Sequence, residues 1–99
     1  MQEQFTRGVF MRIKDGFRLK NIHGQNFIVY IGTDLKDFTR SISLSATSSF
    51  LWEKLSEGEK SKEELLNLLL QNFDISTVLA LNDIDVFVKT LKKDGIIEE

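Results

Sequence analysis

The pattern of apolar and polar residues changes near residue 45. Before that point the apolar residues follow strand patterns, and after it they follow helical ones. Residues 17–22 set apolar side chains against two basic ones and predict a half-exposed strand. Residues 27–31 are β-branched or aromatic throughout and predict the central strand. Residues 21–26, which include Gly24 and two asparagines, predict the turn of a hairpin.

Three further predictions concern the rest of the first half. Residues 41–44 alternate polar and apolar side chains and predict a short third strand, which is typical of a sheet edge. Residues 35–40, which precede it, predict a polar loop. Residues 1–12 repeat no core pattern, so we expect a flexible N-terminal segment followed by a single domain over residues 13–99.

The first two helices are marked by their N-terminal residues. Ser45 is suited to cap a helix over residues 46–55. Ser61 and Glu64 form a capping box, in which each side chain satisfies a free backbone N–H at the helix start. This box predicts a helix over residues 62–72 with a broad apolar surface.

The last helix shows the clearest period. Ser76 or Asn82 is expected to begin it, and the helix is expected to end near residue 94, before Gly95. Each residue of an α-helix is rotated by about 100° around the helix axis from the residue before it, so the spacing of apolar residues shows which of them share a face. Five of them fall in one stripe and predict the core face: Leu81, Ile84, Phe87, Val88 and Leu91.

A second apolar strip runs along the same helix. Leu79 and Val86 lie nearly opposite the predicted core face, with Asp83 and Thr90 near them. Two explanations remain open for this strip. It contacts another part of the fold, or it forms the floor of a groove that binds a partner.

Composition limits the class of protein. The chain has 99 residues, of which 41% are apolar and 28% charged, and this balance is typical of one globular domain. It contains no cysteine, which excludes disulfides, thiolate metal sites and cysteine nucleophiles. No apolar run reaches the ~18 residues that a membrane span needs, and no signal peptide is evident. We therefore expect a cytoplasmic protein without membrane association.

Charge is distributed unevenly. Residues 1–44 carry seven basic and four acidic side chains, a net charge of +3, whereas residues 45–99 carry six basic and eleven acidic ones, a net charge of −5. A protein that binds duplex nucleic acid is expected to present a strongly basic surface on its recognition helix. The last helix instead balances three acidic residues against three lysines, so nucleic acid is not expected as a partner.

The side chains that could support catalysis are isolated from one another. His23 is the single histidine and lies in the predicted turn, which is typical of an exposed residue. Asp83 and Asp85 are two residues apart on a helix and point in different directions. The six glycines are separated and form no phosphate-binding loop. We expect no enzymatic activity, no metal and no cofactor.

The order of elements predicts a fold class. Three antiparallel strands followed by three helices are compatible with a winged-helix-like α+β domain. Because the predicted recognition helix is not basic, the surface that remains is an open strand edge beside a helix. Such an edge can accept an extended peptide as an additional strand.

Four parts of the sequence, in their order and spacing, carry a resemblance to a known family. They are residues 41–45 leading into 46–55, residues 70–75, residues 82–91 and residues 94–97. In these the sequence resembles the PqqD family of small peptide chaperones, also called RiPP recognition elements, which bind the leader peptides of ribosomally made precursors. The resemblance covers about residues 17–97.

The resemblance implies a binding site and partners. A leader peptide would pair antiparallel with the third strand and lie against the third helix. By position, the peptide-binding residues would be Ile42, Ser43, Leu44, Leu79, Asp83, Val86 and Thr90. The partner enzyme would be a radical-SAM enzyme, a leader peptidase or a cyclase. We expect the protein itself to be a monomer or a weak homodimer.

Two other functions stay open from the sequence. One is a winged-helix domain that binds nucleic acid, which salt-dependent binding to random duplex would indicate. The other is a structural subunit of a larger enzyme, in which the second apolar strip would be a permanent protein interface.

Overall fold

The computed structural model describes residues 9–31 and 42–99. The predictions for residues 1–8 and for the loop at residues 35–40 lie outside these described residues. Within them the chain forms six strands and three helices. The strands are β1 (Phe10–Ile13), β2 (Phe17–Ile22), β3 (Gln25–Tyr30), β4 (Ile42–Leu44), β5 (Lys60–Ser61) and β6 (Ile97–Glu98). The helices are α1 (Ala46–Ser56), α2 (Lys62–Asn72) and α3 (Thr77–Lys93).

The predicted three-stranded sheet is confirmed. It is antiparallel with the order β2-β3-β4, so β3 lies at its centre. The hairpin turn is shorter than the polar segment in the sequence, because β2 and β3 continue until only His23 and Gly24 separate them. Both turn residues have positive φ, 53° and 81°, which matches the twist of the flanking strands.

A second, smaller sheet was not predicted. Its order is β5-β1-β6, and Met11 at its centre is 3% exposed. Strand β1 includes residues 10–12, which lie in the N-terminal segment of the sequence analysis. The partner strands β5 and β6 are two residues long and come from distant parts of the chain. Such pairing leaves no local period in the sequence.

The helix starts follow from their capping residues. The side chains of Ser45, Ser61 and Ser76 each accept a hydrogen bond from a backbone N–H in the first turn of α1, α2 and α3. The capping box at Ser61 is complete, since the Glu64 carboxylate also accepts from the Ser61 backbone N–H at 2.9 Å. Asn82 lies in the second turn of α3 and is not its cap.

The core lies between the three-stranded sheet and the helices. The buried face of α3 consists of Ala80, Ile84, Phe87 and Leu91. The prediction that Leu81 belongs to this face was wrong, since its side chain is 37% exposed. Ala80, one residue earlier and about 100° around the helix, is buried instead. Its side chain is only a methyl group, so the helix can approach its neighbours closely there.

We expect Gly16→Ala to lower the free energy of unfolding by about 2 kcal/mol or more. Gly16 has a φ of 98°, and a methyl group at its Cβ position would overlap the ring of Tyr30. Gly24→Ala is the matched control, because Gly24 also has positive φ but no neighbouring atom within 4 Å of that position. Backbone strain alone should cost Gly24→Ala about 1 kcal/mol. Urea denaturation measures both, and equal losses would show that the overlap with Tyr30 costs nothing.

Candidate functional site at the edge of the sheet

The three-stranded sheet has an open edge along β4. Among residues 9–31 and 42–99, no strand pairs with the side of β4 that faces away from β3. In an antiparallel sheet the N–H and C=O of one residue point to the same neighbouring strand, and successive residues alternate between neighbours. Ile31 donates its N–H to the carbonyl of Gly16 at 2.6 Å, beyond the paired ends of β2 and β3. Ile31 and Phe27 therefore turn their backbone groups to β2, and Ile28 turns its own to β4.

The same alternation shows which backbone groups of β4 are left free. Ile42 and Leu44 are opposite the two β3 residues that face β4, so they turn their N–H and C=O groups to β3. The side-chain amide of Gln25 donates to the carbonyl of Leu44 at 3.3 Å, which agrees with this direction. Ser43 lies between them and points its backbone N–H and C=O to the open edge.

The side chains of β4 alternate between the two faces of the sheet. Leu44 is 8% exposed and belongs to the core, and Ile42 is half-buried against it. Ser43 is exposed on the other face of the sheet. Of the three β4 residues that the sequence analysis assigned to the site, only Ser43 presents its backbone to the edge. Ile42 borders that edge, and Leu44 holds the strand to the core.

The second apolar strip of α3 is exposed. Leu79 and Val86 are each 57% exposed, Thr90 is exposed and Asp83 is half-buried. The four residues are spaced by four, three and four positions, so they share one side of the helix. This strip lies about 100° from the buried face rather than nearly opposite to it. The difference arises because the buried face includes Ala80 instead of Leu81, which moves the centre of that face toward the strip.

Two contacts show which way this strip faces. The Thr47 hydroxyl donates a hydrogen bond to the Asp83 carboxylate at 3.3 Å. Thr47 is in the first turn of α1, three residues beyond the end of β4. On the other flank of α3, Asp85 forms an ion pair with Lys62 at the start of α2. The strip and the end of β4 therefore lie on the same side of the molecule.

We call this surface the edge groove and define it by Ile42 and Ser43 on one side and by the strip of Leu79, Asp83, Val86 and Thr90 on the other. The start of α1 joins its two sides. There, besides the bond from Thr47 to Asp83, the Asn26 side-chain amide donates to the Ser49 hydroxyl at 2.9 Å. Because β3, α1 and α3 are linked in this way, the strand edge and the helix strip hold a fixed relation.

A depression lies between β1, β2 and the end of α1, with a volume of about 770 Å³. Trp52 and Phe17 contribute apolar surface to it. Its charged lining residues are Arg12, Lys14, Arg18, Asp15, Glu53 and Glu59. Arg12 forms ion pairs with Asp15 and Glu98. With three basic and three acidic residues around it, this depression favours neither sign of ligand charge.

The described part of the chain shows neither a metal-binding cluster nor a membrane-spanning helix. Residues 9–31 and 42–99 contain no group of three or more histidine, cysteine, aspartate or glutamate residues placed to hold a metal ion. No helix within those ranges is long and apolar enough to cross a membrane. His23 is exposed in the hairpin turn.

The family of the chain follows from a match to known sequences. The model of the family described as coenzyme PQQ synthesis protein D (PqqD) matches residues 27–97. The chain belongs to the PqqD family. The matched range begins in β3 and includes β4 and all three helices, so both sides of the edge groove lie within the PqqD match. The chain matches no curated protein sequence.

Two solved structures share the fold of this PqqD family member. One is "TbiB1 in Complex with the TbiA(beta) Leader Peptide", which is 21% identical, with a TM-score of 0.67 over 88% of this chain and 94% of that chain. The other is "Lasso peptide synthetase B1 complexed with the leader peptide", which is 16% identical, with a TM-score of 0.66 over 90% of this chain and 98% of that chain. Both alignments extend beyond the family match to most of the chain.

Proposed function

We propose that this protein is a non-catalytic peptide chaperone that binds the leader of a ribosomally synthesised precursor peptide and presents it to a modifying enzyme. The observation that carries the proposal is the edge groove, in which the free backbone of Ser43 lies on the same side of the molecule as the exposed apolar strip of α3. Membership of the PqqD family supports it. So do the two solved structures of the same fold, both of which are complexes with leader peptides.

The leader would bind by adding an antiparallel strand to β4. The leader residue opposite Ser43 would exchange two hydrogen bonds with it, because both backbone groups of Ser43 point to the edge. Each such bond contributes only about 0.5–1.5 kcal/mol net. The strand edge alone would therefore bind weakly and without selectivity among peptides.

Selectivity would come from the leader side chains that enter the edge groove. The two leader residues on either side of the one opposite Ser43 point to the same face as Ile42 and Leu44, and they are about 7 Å apart. Leu79 and Val86 are about 10.5 Å apart along α3, so two apolar side chains fit between them. Burying each adds roughly 1.5–3 kcal/mol, which permits micromolar affinity or better after the cost of association.

The remainder of the precursor would stay outside the groove. A strand that occupies the β4 edge leaves the core part of the precursor free for a second protein to act on. We propose a radical-SAM enzyme, a leader peptidase or a cyclase as that partner.

Calorimetry tests the proposed function. The full chain is titrated with a synthetic leader peptide of a ribosomally made precursor, and in parallel with random duplex DNA. We expect micromolar or tighter binding to the leader and no binding to duplex at moderate salt. Duplex binding that falls steeply with salt, together with no binding to the leader, would replace this proposal with the nucleic-acid alternative.

A further inference from the structure

The outer face of the three-stranded sheet, which points away from the core, has an unusual make-up for a solvent face. We define it by Arg18, Lys20, Phe27, Val29 and Ser43, which alternate with the core-facing residues of β2, β3 and β4. Phe27 and Val29 are half-buried, yet neither packs against the core cluster. The three strands carry two basic side chains and no acidic one. The face is therefore both apolar and basic.

One row of this face ends at the open edge. In the register of the sheet, Lys20 is opposite Phe27, and Phe27 is opposite Ser43. Ser43 is exposed, and its side chain is small, so it should leave a notch beside the Phe27 ring. A strand added to β4 would place one of its side chains at the end of this row, on the same face as Ser43. Its backbone would lie two strand spacings from Phe27, about 9.5 Å.

Two aromatic side chains can bridge that distance across a serine. Each ring covers about half of the gap, whereas a larger residue at position 43 would separate them. A basic side chain at the same place would lie in one row with Lys20, three strand spacings or about 14 Å away, on a face that offers no carboxylate from the strands.

We propose that a bound leader is read on both faces of its added strand. Its groove-facing residues contact the strip of α3, and the residue opposite Ser43 is an aromatic or long apolar side chain that packs over Ser43 onto Phe27. This inference rests on the proposed function and adds a specificity-determining contact to it. The outer-face contact selects an aromatic over an alanine about three- to tenfold and disfavours lysine and arginine.

The test begins with short random peptides displayed and selected against the full chain. Selected peptides are expected to share two apolar positions separated by one residue, with aromatic residues enriched at the position between them. Two synthetic peptides that differ only by tyrosine or alanine at that position then give the selectivity ratio by fluorescence titration.

Matched variants test whether the contact with Phe27 causes the tyrosine-to-alanine affinity ratio. In Phe27→Thr the tyrosine-to-alanine ratio should fall to about one, while Val29→Thr, on the same strand and face but outside the row, should keep it. Ser43→Lys fills the notch at an exposed edge position and should also remove the tyrosine-to-alanine ratio. This second variant tests the same contact if Phe27→Thr does not fold.

The outcomes distinguish a failure of the outer-face contact from a failure of the proposed function. Binding peptides with no preference at the middle position, a preference for basic residues there, or a ratio that survives both Phe27→Thr and Ser43→Lys would overturn the outer-face contact and leave the proposed function standing. A selection that yields no binding peptide would count against the proposed function itself.

Discussion

Val86→Asp is expected to weaken leader binding at least tenfold while the fold stays intact. Val86 is 57% exposed and does not belong to the core, so the substitution should leave the helical circular dichroism and the melting temperature nearly unchanged. In the complex it would place a carboxylate against apolar leader side chains. The loss of one buried apolar contact costs roughly 1.5–3 kcal/mol, which corresponds to about ten- to a hundredfold in affinity. Calorimetry with the leader measures it.

Val78→Asp is the matched control for this prediction. Val78 is also a valine of α3 and is 76% exposed, but it lies outside the strip that lines the edge groove. A carboxylate in the first turn of a helix is mildly stabilising, so the control should fold at least as well as the natural chain. Equal losses of affinity in both variants would indicate a general effect of charge. A collapsed fold in Val86→Asp would show that Val86 supports the core.

The second large effect is expected from Ser43→Pro, which should lower leader affinity by about tenfold or more. Proline removes the N–H that Ser43 points to the open edge and places its ring there. The sheet should persist, because the N–H of Ser43 is not bonded to β3 and proline is tolerated at such edge positions. Calorimetry with the leader measures the loss of binding, and thermal melting reports on the sheet.

Two further substitutions make this result specific to the backbone. Ser43→Ala keeps the N–H and should bind the leader nearly as the natural chain does. Ile42→Pro removes an N–H that faces β3, so it should destabilise the sheet itself. If Ser43→Pro bound the leader normally, or if Ile42→Pro proved harmless to stability, the assignment of backbone directions in β4 would be wrong.

Elements with local signals could be predicted closely from the sequence. The bounds of β2 and α2 are as predicted, because the alternation of apolar and basic residues over 17–20 and the capping box are each contained within a few neighbouring residues. The sheet β5-β1-β6 could not be predicted, since β1 pairs with segments far along the chain that are too short to have a period. The exposure of Leu81 was missed for a related reason. Only the packing of α3 against its neighbours determines that Ala80 faces the core.

The candidate site likewise has one part that could be predicted from the sequence and one part that could not. The strip of Leu79 and Val86 was visible from their spacing of seven residues, which is a property of one helix. The direction in which that strip faces is determined by the packing of α3 on its neighbours, and the bond between Thr47 and Asp83, which joins two helices, shows that direction. The free backbone of Ser43 depends on the register across three strands. Neither relation leaves a pattern along the chain, so the structure was needed to bring the two sides of the edge groove together.

Hydrogen exchange at single backbone amides tests the central claim most directly. The amide of Ser43 points to the open edge and should exchange fast in the free protein, whereas the amide of Phe27 is bonded to β2 and should exchange slowly in both states. Addition of the leader should slow exchange at Ser43 and leave Phe27 unchanged. If the Ser43 amide exchanged equally fast with the leader bound, the leader would not be paired with β4, and the account given for this site would be contradicted.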